Sequence, residues 1–464
     1  MEGNNTSNGS HFEIPLKGIG AEAVLEGLKV RKIGDPDYKA PRTFSLVYYL
    51  GEEHTRLLCD AYEIYFSENA LNPTAFKSLK GLEHEVVRMG VKLLHGPEEA
   101  VGTMSSGGTE SCLLAVKTWR DYARARRPLV RKPEMLVADT VHVAWEKGAE
   151  YFDVRMVMVP VGKDFRMDPE AARRKINRNT ILIVASAPDY PHGMIDPIEE
   201  LGAMAEARDI PLHVDACLGG FLLPFMEAAG ESLPLWDFRV PGVRSISADV
   251  HKYGYAAKGA SLILYRNMDY LERQFFVSQD WPGGVFLSHG LLGTRPGGAI
   301  AAAWASLVAL GRDGFIAHAR ETMEAARAIQ DGIAGIQELQ LIGRPPASIF
   351  SFRSVDAAID IYAVGDRMSA KGWHVDRLQR PEALHAMVIP RHGRVADEYL
   401  SDLRESVAAV RADPSLKRQG DAAMYGMISR VPLRGVIRAE VMKMARRMYG
   451  PDGILPGQGD PSGK

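Results

Sequence analysis

The sequence of 464 residues has few cysteines, little net charge and no long apolar run. Its three cysteines, Cys59, Cys112 and Cys217, form no CxxC pair, which argues against a disulfide framework and a zinc site and favours a reducing, cytoplasmic location. A net charge of -2 provides no basic field for nucleic acid. No apolar run approaches the roughly 20 residues of a membrane-spanning helix, so we expect no transmembrane segment.

The composition that is present is that of an ordinary globular protein. Hydrophobic residues make up 46% of the chain and charged residues 25%, which excludes global disorder. The length fits two domains, or one large α/β domain with an appendage.

Short β-branched runs alternate with amphipathic stretches between Met135 and Arg266, a pattern typical of βα units around a largely parallel sheet. The predicted strands are MLVADTV from Met135, RMVMVPV from Arg155, ILIVASA from Ile181, PLHVDAC from Pro211, SISADV from Ser245 and ASLILYR from Ala260. Asp-Pro pairs at Asp168 and Asp196 predict helix starts, with the aspartate as cap.

A second region follows an Ala-rich stretch, Ala299 to Leu310, which predicts a long helix. The pieces SIFSFRSV and HAMVIP beyond it predict strands of an α+β lobe. The predicted fold class is therefore α/β, with a mostly parallel central sheet flanked by helices and a smaller C-terminal α+β domain. We expect a tail and arm over residues 1–60, a large domain over 61–312, a small domain over 313–452 and a flexible tail over 453–464.

Lys252 directly follows a predicted strand and His251, with Lys258 six residues further on. A lysine that acts as a nucleophile needs rigid backbone and a desolvated cleft, where part of its population is neutral. Most lysines are solvated surface groups, so the assignment depends on the neighbouring motifs.

The segment SSGGTES, Ser105 to Ser111, precedes an amphipathic stretch and predicts a phosphate site at a helix N-terminus. It matches neither GxGxxG nor GxxxxGK[ST], and a glycine-rich turn with an ordinary cap is the alternative. Glu110 would have to point away from a bound phosphate.

Asp215 ends the predicted strand PLHVDAC, and His142 follows the end of another predicted strand. Open α/β sheets bind ligands at the carboxyl ends of their strands, although an aspartate there can also cap a turn and a histidine can be a core residue. The motifs at 106–109, 142, 215 and 252 should all reach the same edge of the sheet. A single binding site explains this shared position of the four motifs more simply than chance does.

Eight stretches carry a resemblance to fold-type-I pyridoxal phosphate enzymes of the group II decarboxylase type, and within them to aldehyde-lyases of phosphorylated sphingoid bases. They are MSSGGTESCLLAVKTWRDYA, SAPDYPHGMIDPIEEL, PLHVDACLGGFLLPF, SISADVHKYGYAAKG, FFVSQDWPGGVF, TRPGGAIAAAWASL, DIYAVGDRMSAKGWH and AAMYGMI. They extend from about Tyr48 to Met427. The run from His213 to Gly259 is highly specific.

The resemblance implies pyridoxal 5'-phosphate as cofactor, with Lys252 as Schiff-base lysine, Asp215 at the pyridine nitrogen and His142 stacked on the ring. The remaining implied cofactor residues are His251, Ser106, Gly107, Gly108 and Thr109, the last four at the phosphate. Gly293 and Thr294 match a loop that the partner subunit contributes, which implies a homodimer. The implied substrate-pocket residues are Tyr48, Asn72, Tyr190, His192, Lys258 and Tyr425, with Lys258 as general base and Tyr190 or Tyr425 as alternatives.

One departure from the resemblance concerns the substrate phosphate. Where the family reads Asn-Pro-Leu-His, this chain reads Asn69, Ala70, Leu71 and Asn72, so an asparagine replaces a histidine that helps to receive the phosphate. The expected function is cleavage of a phosphorylated amino-alcohol lipid to phosphoethanolamine and a long-chain aldehyde. The alternatives are an amino-acid decarboxylase and a non-catalytic dimeric binding protein.

Overall fold

The computed structural model describes residues 14–72, 74–430 and 434–451. The chain forms two compact units, Met1–Asp37 and Tyr38–Lys464. The first contains α1 (Ala21–Arg31), none of whose residues is buried. The first 13 residues of the expected tail and arm, and the flexible tail expected over 453–464, lie outside the described residues.

A seven-stranded sheet forms the centre of the second unit. Its strands are β1 (Val101–Ser105), β2 (Glu134–Ala138), β3 (Arg155–Val159), β4 (Thr180–Ser186), β5 (Leu212–Asp215), β6 (Val243–Ala248) and β7 (Ser261–Tyr265). They lie in the order β1-β7-β6-β5-β4-β2-β3, and β7 alone runs against the other six. The six strands predicted from the sequence are confirmed. β1, which contains Gly102 and no alternating apolar pattern, was not predicted.

Helices cover this sheet and connect its strands. They are α2 (Glu52–Ile64), α3 (Lys77–Leu93), α4 (Gly108–Arg126), α5 (Ala144–Phe152), α6 (Pro169–Lys175), α7 (Ile198–Glu206), α8 (Leu223–Ala228) and α9 (Met268–Leu271). Asp168 caps α6 as predicted, because its carboxylate accepts from the backbone N–H groups of Glu170 and Ala171. The cap predicted at Asp196 is wrong: this buried carboxylate accepts from Met167 N and Ser186 N and so ties the loop before α6 to the end of β4.

The Ala-rich stretch becomes α10 (Gly297–Ala334), which packs against α2, α3 and α8. Gly311 interrupts it at φ 57°, a left-handed conformation that favours glycine. Residues before and just after this kink enter the core around the large sheet, and the last turns enter the core around a second sheet. Among the described helices it alone is long and apolar enough to cross a membrane, and 44% of its most apolar window is buried in the fold.

The second sheet has four antiparallel strands in the order β10-β11-β13-β12, and a separate hairpin precedes α10. The strands are β8 (Phe276–Ser278) and β9 (Phe286–Ser288) in the hairpin, then β10 (Leu339–Leu341), β11 (Ile349–Ser354), β12 (Asp376–Gln379) and β13 (Glu382–Met387). The helices are α11 (Ile361–Ala370), α12 (Ala396–Ala412), α13 (Gly420–Arg430) and α14 (Arg434–Met448). The predicted strands SIFSFRSV and HAMVIP are confirmed as β11 and β13, and with them the α/β class with a smaller C-terminal α+β region. The predicted domain boundaries stay predictions.

Candidate active site

A cavity of about 240 Å³ lies at the carboxyl edge of the central sheet. Its lining residues are Gly108, Thr109, Cys112, His142, Ser186, Pro188, Tyr190, Asp215, Cys217, Leu218, Asp249, His251 and Lys252. They come from the loops after β1, β2, β4, β5 and β6, so five strand ends build one site. A larger cavity of about 560 Å³ between α3, α8 and α10 contains none of the predicted site residues.

Lys252 follows β6 and pairs with a carboxylate that the sequence analysis did not single out. Its Nζ lies 3.0 Å from Oδ2 of Asp249, three residues earlier in the chain. Burial opposes the charged form of Lys252, but the nearby Asp249 carboxylate outweighs burial and holds the pKa of the lysine above its usual value. In the absence of another ligand, Lys252 is therefore an ammonium ion.

Asp215 ends β5 and is surrounded by donors. Trp145 Nε1 donates to its Oδ2 at 2.8 Å, and the Cys217 backbone N–H donates to its Oδ1 at 3.1 Å. Ser247 Oγ lies 3.4 Å from Oδ1. Burial favours the neutral acid, but these hydrogen bonds and nearby His142 outweigh burial and lower the pKa of Asp215. The carboxylate is thus held ionised in the interior.

His142 and His251 are neutral imidazoles in this environment. Burial is the main cause that lowers the pKa of each ring. His142 Nδ1 accepts from the Ala144 backbone N–H at 3.2 Å, at the start of α5. His251 Nδ1 donates to the Ala260 carbonyl at 2.7 Å, which fixes the loop that carries Lys252. A neutral aromatic ring beside the cavity suits stacking on a flat ligand.

The N-terminus of α4 provides backbone N–H groups at the cavity through Gly108 and Thr109. A Cβ at Gly108 would lie 2.6 Å from Asp249 Oδ2, so only glycine lets the helix start approach the lysine loop this closely. Glu110 is buried and accepts from Ser106 N at 2.7 Å and Leu291 N at 2.8 Å. The Ser106 backbone N–H is therefore already hydrogen-bonded to Glu110. Neither Ser106 nor Gly107 is among the residues that line the cavity.

These residues fit pyridoxal phosphate. The site has a lysine for the aldehyde, an ionised carboxylate for a ring nitrogen, a neutral imidazole for the ring face and a helix N-terminus for the phosphate. Apart from its ion pair with Lys252, the buried Asp249 carboxylate has no hydrogen-bond partner among the described residues, and His251 Nε2 lies 3.8 Å from its Oδ2. The cavity is thus incomplete without a polar ligand.

Three of the predicted substrate residues lie at or near this cavity. Tyr190 lines it, and its hydroxyl donates to Asp376 Oδ2 at 2.8 Å. Lys258 Nζ donates to the His251 carbonyl at 3.3 Å and lies 5.1 Å from the ring centre of Tyr48. Lys258 is exposed as a residue. Loss of solvation around its ammonium group and the charge of the nearby Lys252 nevertheless lower its pKa to about 8.

The other three predicted substrate residues do not line the cavity. His192 is buried, with its Nδ1 3.1 Å from Ser351 Oγ, because the chain turns inward there towards β11. Tyr425 lies on α13 against Tyr362, with the Arg377 guanidinium over its ring. Asn72 is exposed, and its Oδ1 accepts from the N–H and Oγ1 of Thr74 in a local turn. Their predicted substrate roles stay predictions.

Gly293 and Thr294 are exposed and likewise lie outside the cavity of their own chain. Hydrogen bonds nevertheless hold the segment around them in place. Asn69 Nδ2 donates to Thr294 Oγ1 at 3.2 Å, and the buried Arg295 donates to Glu83 Oε1 at 2.6 Å.

Sequence reasoning missed the residues that support the site. Trp145 and Ser247 hydrogen-bond to the Asp215 carboxylate, and Asp249 forms an ion pair with Lys252. Asp376, on β12 of the second sheet, accepts the hydrogen bond of the Tyr190 hydroxyl. The spacing Asp249 to Lys252 was a usable signal, since three residues at a strand end can form a turn. The other contacts join distant segments and leave no local pattern.

Fold and site together define a pyridoxal-phosphate enzyme of fold type I. Comparison with known proteins agrees: residues 42–355 match the pyridoxal-dependent decarboxylase conserved domain. Sphingosine-1-phosphate lyase of Arabidopsis thaliana is 43% identical over 444 residues, which are 94% of this chain and 81% of the relative. The lyase of Mus musculus is 42% identical over 89% of this chain and 73% of its own.

Solved structures give the same result. The sphingosine-1-phosphate lyase of Burkholderia pseudomallei superposes with a TM-score of 0.86 at 36% identity, over 94% of this chain and 97% of that one. Glutamate decarboxylase of Lactobacillus brevis shares the fold, with a TM-score of 0.75 at 22% identity over 86% of this chain and 95% of that one. The chain belongs to the pyridoxal-dependent decarboxylase family, in its sphingosine-1-phosphate lyase branch.

Proposed function

We propose that this protein is a pyridoxal-phosphate-dependent aldehyde-lyase that cleaves the Cα–Cβ bond of a phosphorylated sphingoid base. The products are phosphoethanolamine and a long-chain aldehyde. The observation that carries the proposal is the convergence of Lys252, Asp215 and His142 on one cavity, with Lys258 beside it. The similarity to sphingosine-1-phosphate lyases over nearly the whole chain supports the substrate class.

Lys252, Asp215, His142 and the start of α4 would hold the cofactor. Bound pyridoxal phosphate supplies an electron sink for the pair released from the breaking bond. Asp215, ionised in a buried site, would keep a proton on the ring nitrogen. Asp249 is the nearest acceptor for the proton that Lys252 must lose before it becomes a nucleophile.

Lys258 is the base that the geometry favours for the substrate 3-hydroxyl. Its lowered pKa, about 8, leaves a useful neutral fraction near neutral pH. The Tyr190 hydroxyl is committed to Asp376, and burial and that carboxylate raise the pKa of Tyr190, so it is a poor proton acceptor. Tyr425 lies outside the cavity lining. Lys252 would then return a proton to Cα.

The assay that tests this function compares three substrates: a phosphorylated sphingoid base, its dephosphorylated analogue and a panel of amino acids. We expect aldehyde and phosphoethanolamine from the first alone, and none in the Lys252→Ala control. Carbon dioxide release from an amino acid without aldehyde formation would overturn the proposal in favour of decarboxylation.

We also propose that the active unit is a homodimer in which the Gly293–Thr294 loop enters the partner's site. The support is that this loop is exposed, is hydrogen-bonded to Asn69 and lies outside the cavity of its own chain. Large apolar side chains are exposed in the adjoining segment, which includes Phe276, Val277, Trp281, Val285, Leu287, Leu291 and Leu292. A surface of this kind is typical of a protein interface.

Mixing two inactive variants tests this arrangement. In a heterodimer of Lys252→Ala with Thr294→Trp chains, one site has an intact lysine and receives an intact loop from its partner. We expect activity to return on mixing, and a dimer by light scattering. A monomer, or no recovery after verified exchange of subunits, would refute the shared site.

A cytoplasmic location is a further part of the proposal. The three cysteines are free thiols in the structure, which a reducing compartment would preserve. Fractionation of cells that express the protein tests this location, and recovery in a secreted or membrane fraction would contradict it.

A further inference from the structure

Two thiols converge on the carboxylate that would hold the cofactor ring. Cys112 lies in α4 and Cys217 follows β5, and both are buried. Their sulfur atoms and a carboxylate oxygen of Asp215 all lie within 4.8 Å of one another. Cys112 Sγ donates to Asp215 Oδ2 at 3.6 Å. The three groups therefore form a compact S,S,O donor set that lines the cavity.

The separation between the Cys112 sulfur and the Asp215 carboxylate oxygen suits two ligands of one tetrahedral metal ion, and Cys217 is close enough to be a third. Zinc binds thiolate sulfur at about 2.3 Å and carboxylate oxygen at about 2.0 Å, which places such ligands about 3.5 Å apart. The observed Sγ to Oδ2 separation of 3.6 Å is close to that value. Soft sulfur ligands select zinc and its thiophilic neighbours over magnesium or calcium. A water molecule would complete the tetrahedron.

The charge around the thiols also favours a cation. Asp215 and Asp249 both face them, and Lys252 balances one of these carboxylates through its 3.0 Å ion pair. One carboxylate charge is therefore left for a bound cation, and such a cation would stabilise the thiolates directly.

We propose that Cys112, Cys217 and Asp215 form a binding site for one thiophilic divalent cation such as Zn²⁺, and that this cation and pyridoxal phosphate exclude each other. Both ligands need the Asp215 carboxylate, so the metal can bind only where the cofactor is absent. Metal binding releases the two thiol protons to solvent. The metal would thereby act as an inhibitor of cofactor loading rather than as part of the reaction.

Cobalt titration of the full-length chain, with and without cofactor, tests the site. We expect the cofactor-free protein to bind one Co²⁺ with a thiolate-to-cobalt charge-transfer band in the near ultraviolet, and the cofactor-loaded protein to show no band. Cys112→Ser and Cys217→Ser should each weaken binding by about tenfold or more, at least the loss that outer-shell changes cause. Cys59→Ser is the matched control, because this cysteine is exposed on α2 and belongs neither to the cavity lining nor to the proposed donor set.

A reciprocal measurement keeps the proposal independent of any single variant. Zn²⁺ added first should reduce pyridoxal phosphate uptake by the unmodified chain, followed by cofactor absorbance, and should have little effect in Cys112→Ala. Circular dichroism checks that each variant is folded. An equal cobalt band with and without cofactor, or a band that survives both cysteine changes, would overturn the proposal. These titrations contain no substrate, so their failure is distinct from failure of the lyase assay.

Discussion

Trp145 controls the charge of Asp215, and Trp145→Phe tests that role. The indole Nε1–H donates to the buried Oδ2 at 2.8 Å. A hydrogen bond to a charged group contributes about 1.5–3 kcal/mol, and 1.4 kcal/mol corresponds to about tenfold. Loss of the donor should therefore disfavour the ionised carboxylate by about 10- to 100-fold. Turnover should fall within that range, because the ring-nitrogen proton depends on this charge.

The assay is turnover against pH at saturating cofactor, with bound cofactor followed by absorbance. The pKa of Asp215 should rise in the variant, so activity should be lost first at low pH and recover as pH increases. Trp119→Phe is the matched control, since Trp119 is equally buried but donates to the neutral Ser245 hydroxyl at 2.9 Å. A loss of equal size in both variants, or one independent of pH, would refute the reasoning.

Four further predictions concern the same site. Lys252→Ala should remain folded but lose the yellow cofactor absorbance, and cofactor still fixed by borohydride would assign another lysine. Gly108→Ala should weaken pyridoxal phosphate by about tenfold, because its Cβ would overpack against Asp249 at a cost of about 1–3 kcal/mol, whereas Gly81→Ala, with open space around it, should not. Turnover should rise with pH through about 8 as Lys258 loses its proton. A turnover that falls over the same pH range would instead show that the Lys258 ammonium group binds the substrate phosphate. Asn72→His should tighten phosphorylated but not dephosphorylated substrate by up to about tenfold, a difference that kinetics on both substrates would detect.

The large sheet was predictable because buried parallel strands read as continuous β-branched runs. The parallel strands β2 to β6 carry such runs, as does the antiparallel β7, and the sequence places Asp215 at the end of one run and Lys252 shortly after another. The rule that strand ends meet at one edge then brings these residues together without knowledge of any contact. β1 lacks the pattern, so its place at the sheet edge could not be predicted.

Side-chain orientation was the part that local patterns could not supply. Asp196 has the same Asp-Pro context as Asp168, yet it is buried and joins the loop before α6 to the end of β4 instead of capping α7. His192 lies only two residues from the cavity-lining Tyr190 and faces Ser351 in the interior. In both cases packing against a distant segment decides the direction of the side chain.

The sequence by itself determined the fold class, the strand-end lysine and aspartate, and the glycines that let α4 begin beside them, because strand propensity and helix starts are local properties. Only the tertiary structure decided which groups set the charges at the site. Trp145 reaches Asp215, Asp376 reaches Tyr190 and Cys112 approaches Cys217 across long separations in the chain. Electrostatic energies depend on distance and burial in space, and neither is encoded in the spacing of residues along the sequence.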